Sequence, residues 1–192
     1  MTNMLGIKTK SIFGDLLKYL AVAFIVMLPV RLFLIQPFIV SGNSMAPAFT
    51  DGNYLVIDEL YTQHETPQRG DVVIFRYPLD PSLYYIKRIV GMPGETMTID
   101  KGAVSIDKRD GTRQVLVVPR PSITELTQVE PIITKLAKDE YFVLGDNRSE
   151  SSDSRDWGPL QSKFIIGRAL MRIWPINTIQ FLPGSIASTS VE

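Results

Sequence analysis

Apolar residues in this chain fall into one long block followed by many short runs. Tyr19 to Val40 reads YLAVAFIVMLPVRLFLIQPFIV, with Arg31 its one charge. The block covers roughly the 20 residues that a bilayer core requires. A buried core helix of that length rarely stays apolar on every face. A cleaved leader is the other reading, but its apolar region is typically about 7–15 residues and a small-residue cleavage site follows it. Neither fits, so the pattern predicts a permanent transmembrane helix over 19–40. Pro29 is tolerated inside lipid where neighbouring groups satisfy the freed carbonyl, and Arg31 lies far enough toward the C-terminal end to snorkel to the interface. Lys8, Lys10 and Lys18 precede the block. Positive flanks stay in the cytoplasm, which places residues 1–18 inside and 41–192 outside. No second block of spanning length follows, so a single-pass anchor is expected.

Beyond Val40 the period changes. Tyr54–Ile57, Asp71–Phe75, Tyr84–Val90, Gln114–Val118, Tyr141–Leu144 and Gly167–Trp174 are short runs rich in β-branched and aromatic residues. Asp51-Gly52, Arg69-Gly70, Pro93-Gly94, Asp110-Gly111 and Gly145-Asp146-Asn147 punctuate them as turns. This predicts a mostly β outer domain of antiparallel strands over 41–184. The stretch from about 100 to 138 carries no chemical motif and reads as a small inserted subdomain, with weak helical or loop character over 122–138. Residues 185–192 read as a polar tail.

Composition narrows the chemistry. Lys plus Arg equals Asp plus Glu, at 20 each, so the chain has no basic excess of the kind that marks nucleic-acid binding. Cysteine is absent and His64 is the only histidine. Disulfides, thiolate metal sites and cysteine nucleophiles are excluded together, and no cofactor or metal site is expected. His64 sits in the polar run Tyr61–Gln68, which makes it a poor base. The remaining nucleophilic option is a serine activated by a lysine. Such a lysine must be neutral, so its pKa must fall from about 10.4 to about 7–8. Burial among apolar groups does this, because desolvation penalises the charged form. In a strand over 84–90, Tyr85, Lys87 and Ile89 share one face and Arg88 takes the other. Taken singly, Lys87 also reads as a strand lysine reaching water, and Ser44, in Ser41-Gly42-Asn43-Ser44, also reads as turn material. The run Gly145–Gly158 is dense in hydrogen-bonding and charged groups. It reads either as a solvated loop or as a polar scaffold in which Ser151 orients a lysine and Asp153 pairs with Arg155.

Together these windows resemble the bacterial type I signal peptidases, membrane-anchored serine proteases. Gly42-Asn43-Ser44-Met45-Ala46-Pro47 is similar to the nucleophile box, Arg69–Phe75 to the strand box, Tyr85–Gly94 to the lysine box, and Gly145–Gly158 to the last box. The resemblance implies an antiparallel β catalytic domain on the outer face of the bacterial cytoplasmic membrane. Its substrates would be signal peptides of exported preproteins, bound as an added strand and cut after small residues. Ser44 would be the nucleophile and Lys87 the general base. Met45 would pack beside them, Ser151 would hydrogen-bond the lysine, and Asp153 with Arg155 would support the loop. Tyr85 and Ile86 would contact substrate. Two positions depart from the pattern. Ala48 stands where a threonine is usual. Gly42, which some members replace with serine, offers no side-chain donor to the oxyanion. The Ser44 backbone N–H would then do more of that work, helped by another amide or by a hydroxyl such as Ser41.

Overall fold

The computed structural model describes residues 14–25, 36–100, 103–108, 110–116 and 130–183. It divides into two compact units, Met1–Gln36 and Pro37–Glu192. In the first, residues 14–25 are helical with largely exposed side chains. No described helix is long and apolar enough to cross a membrane. Of the residues on which the anchor and its orientation rest, Lys8, Lys10, Pro29 and Arg31 lie outside the described residues, as does the 185–192 tail. The far end of the expected 19–40 helix is not helical: Gln36–Ile39 forms strand β1. Pro37 disfavours helical backbone at the residue before it. The Val40 N–H then donates to the Asn53 carbonyl at 2.9 Å, carrying the chain into the sheet.

The described strands are β1 Gln36–Ile39, β2 Tyr54–Asp58, β3 Val72–Tyr77, β4 Asp80–Gly91, β5 Thr96–Asp100, β6 Ala103–Asp107, β7 Arg113–Leu116, β8 Ile132–Lys135, β9 Glu140–Leu144, β10 Leu160–Gln161, β11 Ile165–Trp174 and β12 Gln180–Phe181. They form an eight-stranded sheet in the order β1-β2-β11-β3-β4-β9-β10, with β12 beside β11, and a four-stranded sheet in the order β7-β6-β5-β8. Pairings from β2 onward are antiparallel. The four-stranded sheet occupies the stretch between β4 and β9. Its strand β8 falls at Ile132–Lys135, inside a stretch expected to be helical or loop. Ile132 opposes Ile99 and packs on the core, a partner that no local window reveals.

Alternation buries one side chain in two along β5 and β6, so Met97, Ile99, Val104 and Ile106 face inward. They pack with Val90 of β4 and with Phe142 and Leu144 of β9, which belong to the larger sheet. A second cluster joins Val40, Met45, Phe49, Leu55, Ile57, Val72 and Ile74 beneath the Ser41–Thr50 turn. A third packs Val73, Phe75, Ile89 and Val143.

One detail of pairing positions the site. β4 pairs with β3 over most of its length, from Asp80 to Arg88. β9 joins its other side only from Arg88 onward. Among the described residues, 80–87 therefore have one strand edge without a sheet partner, and β1 ends the sheet at its opposite side.

Candidate active site

β4 delivers Lys87 to the open edge. The residues that follow it are buried because the strand passes from the exposed hairpin into the core, and Lys87 itself is 4% exposed. Burial lowers its pKa from 10.5 to about 8, against the opposing pull of the Asp153 and Asp146 carboxylates. The ammonium position lies 5.3 Å from the centre of the Tyr85 ring. Lys87 Nζ is 2.7 Å from Ser44 Oγ and donates to the Ile86 carbonyl at 3.0 Å. With the amine neutral, the Ser44 hydroxyl donates its proton to the Nζ lone pair. That is the geometry of a nucleophile and its base.

Ser44 sits in a tight turn anchored from below. Met45 is buried in the core beneath it, with Phe49 and Leu55. Gly42 has φ of +89°, a backbone conformation that an L side chain rarely adopts. This accounts for glycine at that position. Its N–H donates to Asp51 Oδ1 at 2.8 Å, so it is not available to an oxyanion. The Ser44 N–H has no hydrogen-bond partner among the described residues. Where Ala48 lacks a hydroxyl, Arg172 Nη1 reaches from β11 and donates to the Ala48 carbonyl at 2.7 Å.

The 145–158 loop closes the other side. The Asn147 N–H donates to the Ser44 carbonyl at 3.0 Å, tying loop to nucleophile. A Cβ on Gly145 would meet Ser151 Oγ at 2.1 Å and the Ser44 carbonyl oxygen at 2.5 Å, so only glycine allows this approach. Asp153 is 0% exposed and organises the loop. It accepts from the Gly145 N–H at 2.9 Å, from Ser151 Oγ at 2.8 Å and from Arg155 Nε at 2.8 Å. Ser151 thus donates to Asp153, where a bond to Lys87 was expected. Arg88, on the face of β4 opposite Lys87, forms a buried pair with Asp146, Nε to Oδ1 at 2.7 Å, and donates to the Gly70 carbonyl at 2.8 Å. A cleft of about 390 Å³ opens beside the dyad, lined among others by Phe38, Ser41, Ser44, Tyr85, Ile86 and Lys87. Among the described residues no group of acidic or histidine side chains is placed to hold a metal ion.

The model of the family "Signal peptidase, peptidase S26" matches residues 13–174. The chain belongs to the signal peptidase family. It is 32% identical over 171 residues to signal peptidase I of Leptolyngbya laminosa, covering 85% of this chain and 80% of that one. It is 31% identical over 179 residues to signal peptidase I P of Bacillus subtilis subsp. natto, covering 90% and 95%. A crystal structure of a signal peptidase I from Enterococcus faecalis V583 aligns with a TM-score of 0.44 at 26% identity, over 54% of this chain and 97% of that one.

Within this signal peptidase, Ser44, Lys87, Tyr85 and Ile86 come together on the cleft, while Ser151, Asp153 and Arg155 form its support. His64 ends the short helix Tyr61–His64, exposed and outside the cleft lining. Sequence reasoning missed three groups. Asp146 and Arg88 lie in the motif windows, but their pairing across 58 residues has no local sign. Arg148, buried, donates through Nε to the Gly145 carbonyl at 2.9 Å, and desolvation followed by the nearby Arg155 charge brings its pKa down to about 10. Arg172 gives no sequence signal at all.

Proposed function

We propose that this chain is a membrane-anchored type I signal peptidase, which removes signal peptides from exported preproteins after small residues. The observation that carries the reading is the 2.7 Å approach of Lys87 Nζ to Ser44 Oγ, at a lysine whose pKa burial brings to about 8. An extended substrate adds as a strand to the open edge of β4 and faces β1 across the cleft. Ser44 Oγ attacks the scissile carbonyl while Lys87 takes its proton. The oxyanion accepts from the Ser44 N–H. Collapse breaks the C–N bond, and the Lys87 ammonium gives its proton to the departing amine. Water, deprotonated by Lys87, then attacks the acyl ester and releases Ser44. No cofactor enters this sequence.

In this reading the apolar block that begins at Tyr19 crosses the bacterial cytoplasmic membrane once and ends before strand β1, with residues 1–18 inside and the β domain outside. The apolar block and its flanking lysines support this. Ser44 lies eight residues past Gln36, where β1 begins, so the nucleophile works near the lipid surface that its substrates also occupy.

The test is processing of a preprotein by Ser44→Ala and Lys87→Ala separately. Each is expected to lose activity by about 10⁴-fold or more. Complete processing by either variant would overturn the mechanism.

A further inference from the structure

The turn that carries Ser44 is held by three sets of contacts, and one of them comes from outside the cleft lining. In the core, Met45 and Phe49 are buried, at 1% and 0% exposure. From the 145–158 loop, the Asn147 N–H holds the Ser44 carbonyl at 3.0 Å. The third hold is Arg172, on β11. β11 pairs with β2 so that Arg172 opposes Leu55, and directly opposed residues share a face of the sheet. Leu55 packs with Met45 and Phe49. The Arg172 side chain therefore rises on the side of the sheet where the Ser44 turn rests.

Its guanidinium makes three hydrogen bonds. Nη1 donates to the Ala48 carbonyl at 2.7 Å, Nε to the Thr178 carbonyl at 2.9 Å and Nη2 to Gln180 Oε1 at 3.2 Å. The last two acceptors are themselves placed. The Thr178 N–H and Oγ1 both donate to the Pro175 carbonyl at 2.9 Å, and Gln180 of β12 opposes Arg172. A rigid planar fork held at Nε and Nη2 leaves Nη1 aimed at one point. Among the described residues no other donor reaches the Ala48 carbonyl. Two short links carry that hold back to Ser44. The Phe49 N–H donates to the Met45 carbonyl at 2.8 Å, and the Ala46 N–H to the Asn43 carbonyl at 3.0 Å, so residues 43–49 shift as one piece. Apolar packing of Met45 and Phe49 sets how deep this piece sits, but such packing is non-directional. Directed hydrogen bonds set its rotation, and rotation decides whether Ser44 Oγ stays 2.7 Å from Lys87 Nζ.

We infer that Arg172 is a positioning residue of the reaction: through the Ala48 carbonyl it locks the rotation of the 43–49 turn, and so keeps Ser44 Oγ in line with Lys87 and the scissile carbonyl. Arg172 lies outside the cleft lining and acts on the chemistry only through that turn. The inference rests on the signal peptidase reading.

The experiment compares the full chain with Arg172→Met and Arg172→Lys on a preprotein in detergent, with rates counted per folded molecule by tryptophan fluorescence. Methionine keeps the apolar stem without a donor. Lysine keeps the charge but replaces the planar fork with one nitrogen, which cannot hold three acceptors in the same geometry. Arg172→Met is expected to lose kcat about tenfold with KM unchanged, as for an interaction felt in the transition state and not in substrate binding. Arg172→Lys is expected to lose about threefold. The pH profile of kcat/KM separates positioning from general loosening. Its apparent pKa is expected to stay near 8, whereas a loosened core would wet Lys87 and move the rise toward 10.5. A folded variant with wild-type kcat overturns the inference. So does a rise in KM alone, or a profile displaced toward 10.5. If Arg172→Met does not fold, Arg172→Lys decides by the same readings. If the wild-type chain leaves the preprotein uncut, the signal peptidase reading falls and this role with it. If the wild type cuts it and the variants cut equally well, only the role of Arg172 falls.

Discussion

Lys87 works against the fold and for the chemistry. Burial holds its pKa near 8, below the ordinary 10.5. A displacement of that size corresponds to about 3 kcal/mol. The sign follows from proton counting. Between about pH 8 and 10.5 the unfolded chain binds a proton at this group that the folded chain does not, so folded stability rises with pH across that window. Below pH 8 the full cost is present. Replacing Lys87 with methionine keeps the apolar stem and removes the charge. Lys87→Met is therefore expected to stabilise the protein at pH 7 by about 1–3 kcal/mol while abolishing turnover. Its advantage over the wild type should shrink toward pH 10.5. Urea unfolding at the two pH values measures this, and a wild type as stable as the variant at both would show that Lys87 is not desolvated. Ser44 and Lys87 stand out in the sequence only when their windows are read together, since each alone also reads as a turn serine or a strand lysine reaching water. The bond from the Ser151 hydroxyl to Asp153 is not legible there, because only the folded loop brings that carboxylate to 2.8 Å from it.

At the scale of elements, β4 joins the site to the sheet. Its two faces do different work: Lys87 turns to the cleft, and Arg88 turns inward to Asp146 at the root of the 145–158 loop. That pair fixes how the strand and loop meet. Removing one partner leaves the other charged, buried and uncompensated. Arg88→Met is expected to cost about 3–5 kcal/mol, and Arg88→Met/Asp146→Leu clearly less, because the double change buries no lone charge. Denaturant unfolding of the single and double variants measures the difference, and equal losses would mean the cost is packing alone. Runs such as Tyr54–Ile57 and Tyr141–Leu144 were legible as strands because both are dense in β-branched and aromatic residues. β5, β6 and β8 were not, since Thr96–Asp100 and Ala103–Asp107 mix small and charged residues into the alternation, and Ile132–Lys135 is only four residues long. The end of the expected anchor at Gln36–Ile39 misled for the opposite reason: an apolar strand and an apolar helix look alike until pairing decides.

At the scale of the molecule, the four-stranded sheet reads from sequence as an insertion, yet its apolar face is continuous with that of the larger sheet. Met97, Ile99, Val104 and Ile106 have no core of their own. They share one with Val90, Phe142 and Leu144, from the same β4 and β9 whose pairing seats Lys87 and the 145–158 loop. A module whose apolar contacts, among the described residues, lie in a shared core does not unfold alone. Ile106 is 0% exposed and lies outside the cleft lining, which makes it a clean probe. Ile106→Ala is expected to destabilise the whole outer domain by about 2–5 kcal/mol through the cavity it leaves. The unfolding curve should remain a single transition. Far-UV circular dichroism samples both sheets. Trp157, packed 5.8 Å from Phe75 between ring centroids, reports through fluorescence on the larger sheet beside the site. The two signals are expected to move together to the same lower midpoint. If the four-stranded sheet is instead an independent insertion, the dichroism of Ile106→Ala will fall first while the tryptophan signal keeps its wild-type midpoint, and such separation would refute the shared core.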